Sequence, residues 1–180
     1  MNIAELGLPM VIPAPDAPAR VTIWEVGPRD GLQNEAEILP TAIKIEFIER
    51  LAVAGLSIIE ATSFVPARWV PQLADAAEVM AGLSPSASVR FPVLVPNERG
   101  LNLALAAGAQ EIAVFGSVTE SFARKNLNRT YDDQWAMFEP VVAKARAEDM
   151  SVRGYLSMCF GDPWEGPVAL ERVVDAVGHL

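Results

Sequence analysis

From Val21 onward the chain alternates short apolar, β-branched runs with segments of helical spacing, and this alternation restricts the fold more than any other feature. Residues 21–27 predict a strand. Residues 41–54 predict a helix, with Ile45, Ile48, Leu51 and Ala52 near helical spacing and Gly55 as its stop. Strands follow over 57–62, 88–95, 110–116 and 151–159, and helices over 73–83, 98–107, 131–150 (with Pro140 inside) and 168–177. About five strand–helix pairs in series imply a parallel sheet with right-handed crossovers. A weak repeat punctuates them: Ala54-Gly55-Leu56, Ala107-Gly108-Ala109 and Val177-Gly178-His179 each close a helix, where glycine suits a left-handed cap.

A doubly wound open sheet and a (β/α)8 barrel both fit that series. The strands are short and evenly spaced, and the residues of chemical interest gather at or after strand C-termini: Arg29, Asp30, Gln33, Glu60, Thr62, Ser63, Asn97, Ser117 and Ser157. Barrel enzymes build their sites on that face. No Gly-x-Gly-x-x-Gly follows a strand, so a dinucleotide fold has no support. The expected fold is an α/β TIM-barrel type, here an incomplete barrel of about five β/α units over 21–180, behind a loosely ordered lead-in over 1–20 with room for a short added strand. A closed barrel typically takes about 250 residues. The third repeat copy therefore falls where a sixth strand is expected to begin.

Composition narrows the partners. Formal net charge is −9, which repels nucleic-acid phosphate and anionic lipid, so neither is expected as a partner. Every apolar run is broken well before the roughly 18 residues a membrane span needs. The first twenty residues hold four prolines and no Lys/Arg-rich start, unlike a secretory or mitochondrial leader, so the expected location is cytoplasmic. Cys159 is the single cysteine, which excludes an internal disulfide and a cysteine zinc cluster.

Arg29 and Asp30 follow the first strand behind Gly27-Pro28. An aspartate there can offer a hard oxygen to a divalent cation, and an arginine can offer a fork of donors to a carbonyl gaining negative charge. Spacing alone equally allows a surface ion pair in a turn. Glu60, behind Leu56, Ile58 and Ile59, is either an acid in the barrel mouth that orients Arg29 or a half-exposed strand-end carboxylate. Residues 117–130 read as a polar loop carrying Arg124, Lys125 and Arg129 beside Asn126 and Asn128, suited to phosphate contact or to plain solvation. Cys159 reads as core filler, and His179, at a helix C-terminus, as lying away from the site face.

The run Glu25-Val26-Gly27-Pro28-Arg29-Asp30-Gly31-Leu32-Gln33-Asn34-Glu35 resembles the first-strand motif of the 3-hydroxy-3-methylglutaryl-CoA lyase family. In the same order follow Gly55 to Val65, Trp69-Val70-Pro71-Gln72, Pro92 to Asn97, Lys125-Asn126 and Ser151 to Ser157, so the resemblance runs from about Val21 to the end. Related carboligases share Arg-Asp-Gly-x-Gln but usually carry Glu where Leu32 stands; Leu32 with Asn34-Glu35 favours the lyase. The resemblance implies a metal-dependent retro-Claisen cleavage of 3-hydroxy-3-methylglutaryl-CoA to acetyl-CoA and acetoacetate, of the leucine-degradation or ketone-body type. It implies Mg²⁺ or Mn²⁺, an acyl-CoA thioester substrate, and a homodimer in the complete family form.

Carried over residue by residue, Asp30 resembles the metal ligand, Arg29 the group that stabilises the enolate oxygen, and Glu60 the acid supporting them. Gln33, Ser63 and Tyr155 match substrate-pocket positions, and Lys125 and Asn126 are candidates for CoA contact. The family's His-x-His pair, a later Asn ligand, the Gly-rich loop with its cysteine and an Asp-Thr pair are not matched here; Cys159 does not align with that loop cysteine. The expectation is therefore a shortened lyase chain, nearly inactive by itself. The alternative is a non-catalytic or split-enzyme half that needs a partner chain for those ligands and the Cys loop.

Overall fold

The computed structural model describes residues 16–84 and 87–180. The lead-in expected over 1–20, with its added strand, falls largely outside the described residues. Four parallel strands lie side by side in chain order: β1 (Thr62–Ser63), β2 (Val93–Leu94), β3 (Glu111–Ser117) and β4 (Ser151–Ser157). Thr62 pairs with Val93, Val93 with Ile112, and Ile112 with Val152. Two isolated parallel bridges, Glu25 to Ile59 and Ile58 to Arg90, extend the sheet backward to the segment before Gly27. Five rails thus run parallel and in sequence, as the alternation predicts.

The first two expected strands are shorter than their apolar runs. Residues 21–27 contribute only the bridge at Glu25, and the run from 57 forms bridges before regular pairing begins at Thr62. Val21 and Ile23 are largely exposed. On a rail paired on one side only, apolar content does not make a ladder.

The helices are α1 (Thr41–Val53), α2 (Ala76–Gly82), α3 (Glu98–Ala106), α4 (Glu120–Leu127), α5 (Tyr131–Ala147) and α6 (Leu170–Gly178). Their ends follow local chemistry. Asn97 caps α3 by accepting from the Gly100 N–H, and Thr130 caps α5 by accepting from the Asp133 N–H. Gly55 and Gly108 adopt positive φ after α1 and α3, as the repeat predicts. Gly178 instead stays within α6. Pro71 opens a 3-10 turn, Pro71–Leu73, so the helix expected from residue 73 begins at Ala76.

Two regions depart further from expectation. The polar loop of 117–130 contains α4, whose Glu120–Arg124 pair is spaced i,i+4 on one face and whose Ala123 and Leu127 are buried. After β4 comes an unforeseen hairpin, β5 (Gly161–Asp162) against β6 (Gly166–Pro167), turned at Gly166 with φ 79°. One Asp162 oxygen accepts the Trp164 and Glu165 N–H groups and the other accepts the Thr119 hydroxyl at 2.6 Å, tying the hairpin to the end of β3. Those hydrogen bonds outweigh desolvation and hold the Asp162 carboxyl below its ordinary range.

The core lies between sheet and helices. Val93, Val95, Ile112 and Val114 pack with Leu101, Phe138, Val141 and Ala145; a second group joins Ile48 and Val79 to Ile59 and Ala61. A Cβ on Gly116 would meet Trp135 at 2.6 Å and one on Gly154 would meet Leu180 at 2.9 Å, so these positions face the helices. By the two-residue period, Tyr155 and Ser157 occupy the opposite, inner face, while the Phe115 ring lies 5.8 Å from that of Phe138 on α5. Tyr131 donates to Asp175 and Trp135 stacks on His179 at 5.1 Å, which sets α6 beside and parallel to α5 in the outer layer. His179 thus lies on the helical layer, away from the inner face. No helix among the described residues is long and apolar enough to cross a membrane.

Candidate active site

The first rail ends in a tight π-helical turn over Gly27–Gly31, in which the Asp30 N–H reaches the Val26 carbonyl at 2.7 Å. Such turns are rare and concentrate at functional sites. Glu25 fixes its entry by accepting the Gly27 N–H at 2.6 Å; a Cβ at Gly27 would sit 2.7 Å from that same carboxylate oxygen, so a larger residue would have to displace the Glu25 brace. Asn34 donates back to the Asp30 carbonyl at 2.8 Å. The motif read as a signature is, physically, a self-braced turn that presents Arg29 and Asp30.

Arg29 is the hub. Its Nε donates to Glu60 Oε1, and its Nη1 donates to Asp30 Oδ1 at 2.6 Å. Gln33 also donates to Asp30 Oδ1, at 2.9 Å. Glu60 is fully buried at the end of the second rail. Its other oxygen accepts the Tyr155 hydroxyl at 2.6 Å and the Trp24 indole N–H at 3.1 Å. A buried carboxylate is tolerable only when paired and fully hydrogen-bonded, and Glu60 meets both conditions. Burial first, then the hydrogen bond to Glu60, and then the Glu60 charge push the Tyr155 phenol well above its ordinary range, so Tyr155 serves as a neutral donor. Contact between Tyr155 on the last rail and Glu60 on the second requires the sheet to curl, as a barrel wall does.

Above this network lies a cavity of about 610 Å³, lined by Arg29, Asp30, Gln33, Asn126, Tyr155 and Ser157 together with the apolar Trp69, Phe115 and Phe122. Arg29 Nη2 and Asp30 Oδ2 take no partner among the described residues. Donor and acceptor groups thus border one concave, partly apolar space, the usual form of a small-molecule site.

The sequence candidates divide. Arg29, Asp30, Gln33, Tyr155 and Asn126 line the cavity, and Glu60 stands directly behind Arg29. Ser63 does not join them. It lies one residue off Glu60's parity and lines a separate cavity of about 560 Å³ with Phe64, Asn97 and Gly100, its buried hydroxyl without a partner. Lys125 is not among the cavity-lining residues; its Nζ lies 4.6 Å from the ring centre of Trp164, which also packs against Phe122. Cys159 donates to the Leu156 carbonyl at 3.4 Å.

Sequence reasoning missed Trp24, Trp69, Phe115 and Phe122. Trp24 was recoverable in principle, since its two-residue offset from Val26 puts it on a defined face of its rail.

Asp30 supplies one carboxylate at the cavity, but no group of three His, Cys, Asp or Glu side chains converges among the described residues. Divalent cations need six or more oxygen ligands, several from the protein in a site of useful affinity. The described residues therefore do not fit such an ion by themselves.

The chain is similar to known proteins over most of its length. The HMGL-like family model matches residues 20–179. The cytoplasmic 3-hydroxy-3-methylglutaryl-CoA lyase of Rattus norvegicus is 55% identical over 91% of this chain and 48% of its own length. The mitochondrial hydroxymethylglutaryl-CoA lyase of Bos taurus is 48% identical over 91% of this chain and 50% of its own. The crystal structure of the lyase from Pseudomonas aeruginosa superposes with a TM-score of 0.87 at 41% identity, covering 90% of this chain and 54% of that one. A lyase structure holding coenzyme A and 3-methylmalate superposes at 0.83 and 33% identity, covering 88% of this chain and 52% of that one. The chain spans about half the length of the curated relatives it matches.

Proposed function

The chain belongs to the HMGL-like family, and from that premise we propose that it carries the Arg29–Glu60 part of a hydroxymethylglutaryl-CoA lyase active site. The reaction is the retro-Claisen cleavage of a 3-hydroxy-3-methylglutaryl thioester to acetyl-CoA and acetoacetate. The observation that carries this reading is Arg29, pinned on one side by buried Glu60 and on the other by Asp30, at the floor of a cavity with apolar walls.

The chemistry follows from that placement. Carbon–carbon cleavage leaves the electron pair on the thioester fragment, and negative charge builds on its oxygen as an enolate. A preorganised guanidinium stabilises such an oxygen most effectively where water is scarce and the cation cannot turn away. Glu60 and Asp30 fix two of Arg29's nitrogens, and Arg29 lines the ligand space. Tyr155, uncharged over the whole physiological range, anchors Glu60 without adding a competing negative charge. Gln33 and Asn126 offer amides to the polar parts of the substrate, and Trp69, Phe115 and Phe122 exclude water.

We assign Asp30 as one candidate ligand of the Mg²⁺ or Mn²⁺ that the family resemblance implies, an ion the described residues would not hold by themselves. When bound, that ion would act as Lewis acid and template for the hydroxyl and carboxylate of the substrate. Asn126 is retained as a CoA contact. Lys125, occupied by Trp164, contributes charge to the rim only if it leaves that ring. A cytoplasmic location follows the rat relative's label; the bovine relative is labelled mitochondrial.

A graft tests the reading. Residues 20–179 replace the matching segment of the Pseudomonas aeruginosa lyase, and thioester cleavage is followed by acetyl-CoA release. An active graft that loses roughly 10²-fold or more in kcat on Arg29→Met supports the assignment. A folded, inactive graft, or one indifferent to Arg29→Met, refutes it. The 180-residue chain alone is expected to cleave far more slowly than the graft.

A further inference from the structure

We propose that Trp24 is a positioning residue, its indole N–H holding the Glu60 carboxylate that in turn aims Arg29, with Arg153 clamping the indole from the last strand of the sheet. Three observations meet there. The indole Nε1 donates to Glu60 Oε2 at 3.1 Å, on the same oxygen that accepts Tyr155. The Arg153 guanidinium lies 4.2 Å from the Trp24 ring centre and 5.1 Å from that of Tyr155, so one cation covers both donors. Arg90, paired with Glu111 at 3.1 Å, lies 5.7 Å from the same indole.

The geometry explains why a filler side chain would not serve. A carboxylate held at one oxygen can rotate about its terminal bond. Glu60 is held at Oε1 by Arg29 and at Oε2 by two donors that use both lone pairs. Its plane is therefore fixed, and with it the direction of the Arg29 Nε–H and the turn of Nη1 toward Asp30. An apolar residue at position 24 could occupy the space while leaving Oε2 with one donor and the plane freer to swing. Trp24 lies on the first rail and Arg153 on the last, so their contact also ties the two ends of the curled sheet beneath the cavity.

The mechanistic consequence rests on the reading of Arg29 and Glu60 as lyase residues, but the positioning itself is measurable in the 180-residue chain without catalysis. Four indole N–H signals are expected in a proton–nitrogen correlation spectrum. Trp24→Phe assigns one of them by its loss. That signal should move on Glu60→Gln, while the Trp135 signal, from an indole in the outer helical layer stacked on His179, should stay.

In a second arm, 3-benzothienylalanine is placed at position 24 by semisynthesis, keeping the bicyclic shape and removing the donor. The Arg29 Nε–H should then exchange with solvent about ten-fold faster, the scale of one charge-assisted hydrogen bond lost, and the thermal midpoint should fall by a few degrees. A role in packing alone predicts no change in Arg29 exchange. A Trp24 signal indifferent to Glu60→Gln, or an Arg29 exchange rate unaltered by the sulfur isostere, overturns the proposal. In the active graft, the same isostere should lower kcat with little change in KM. Failure of that arm alone, with both spectroscopic results as expected, would count against the lyase reading and leave the positioning intact.

Discussion

Replacing Glu60 by Gln keeps the side-chain shape, removes one negative charge and converts one acceptor oxygen into a donor. The native carboxylate accepts from Arg29 on one oxygen and from Tyr155 and Trp24 on the other. Gln offers one oxygen and one NH₂. If the oxygen faces Arg29, the NH₂ faces Tyr155 and Trp24. The phenol can rotate and become an acceptor, but the indole N–H can only donate and is left unpaired at a cost of about 1–3 kcal/mol. Arg29, whose side chain is only 11% exposed, also loses a charged partner. Removing one member of a buried pair costs about 3–5 kcal/mol when the other stays fully desolvated. Asp30 remains beside Arg29 and keeps part of the compensation, so about 2–4 kcal/mol of destabilisation is expected in all. The assay is urea denaturation of both chains, followed by circular dichroism and tryptophan fluorescence, with Tyr155→Phe as the second leg of a double-mutant cycle. A loss below about 0.5 kcal/mol, or strict additivity with Tyr155→Phe, would refute the claim that Glu60 is the centre of one coupled network.

Four further outcomes follow from the geometry. Gly116→Ala drives a methyl into Trp135, 2.6 Å away, and should cost about 1–3 kcal/mol of stability in the same urea assay, because the close-packed helix face must shift. Both phenols, Tyr131 and Tyr155, are raised by burial and by a neighbouring carboxylate, so tyrosinate absorbance at alkaline pH should lag behind free tyrosine until the chain unfolds. The sign follows from linkage: a raised folded value means the stabilisation is full below the ordinary phenol value and lost as pH rises through the folded one. Asp162 behaves oppositely. Its depressed carboxyl stabilises the hairpin above the ordinary carboxylate value, and that stabilisation is lost as pH falls through the folded one. Amide protection over 161–167, relative to the intrinsic rate at each pH, should therefore fall in acid, and Asp162→Asn should produce the same loss of protection near neutrality. Arg29→Lys in the active graft should cost kcat by about 10²-fold, because a single ammonium cannot reproduce the fork that bridges Glu60 and Asp30.

The sequence by itself determined what depends on local spacing and backbone chemistry. Alternating periods placed α1, α3, α5 and the parallel order of the rails, and Gly55 and Gly108 marked helix ends, because a positive φ selects glycine regardless of what surrounds it. The run from Glu25 to Asn34 was legible through its resemblance to a family motif, since spacing alone also allows a surface ion pair; the structure shows that it braces its own turn: Glu25 on Gly27, Asn34 on Asp30, Gln33 on Asp30. Only the tertiary structure decided which face each side chain meets. The polar stretch holding Lys125 folded as α4, and the cation turned to Trp164 instead of the cavity. Ser63, adjacent in sequence to strand positions of the opposite parity, went to the helix side. Trp24, Tyr155 and Glu60 stand on the first, last and second rails, up to 131 residues apart for Trp24 and Tyr155. They meet because the sheet curls, and curl is a property of five rails packed together that no local spacing records.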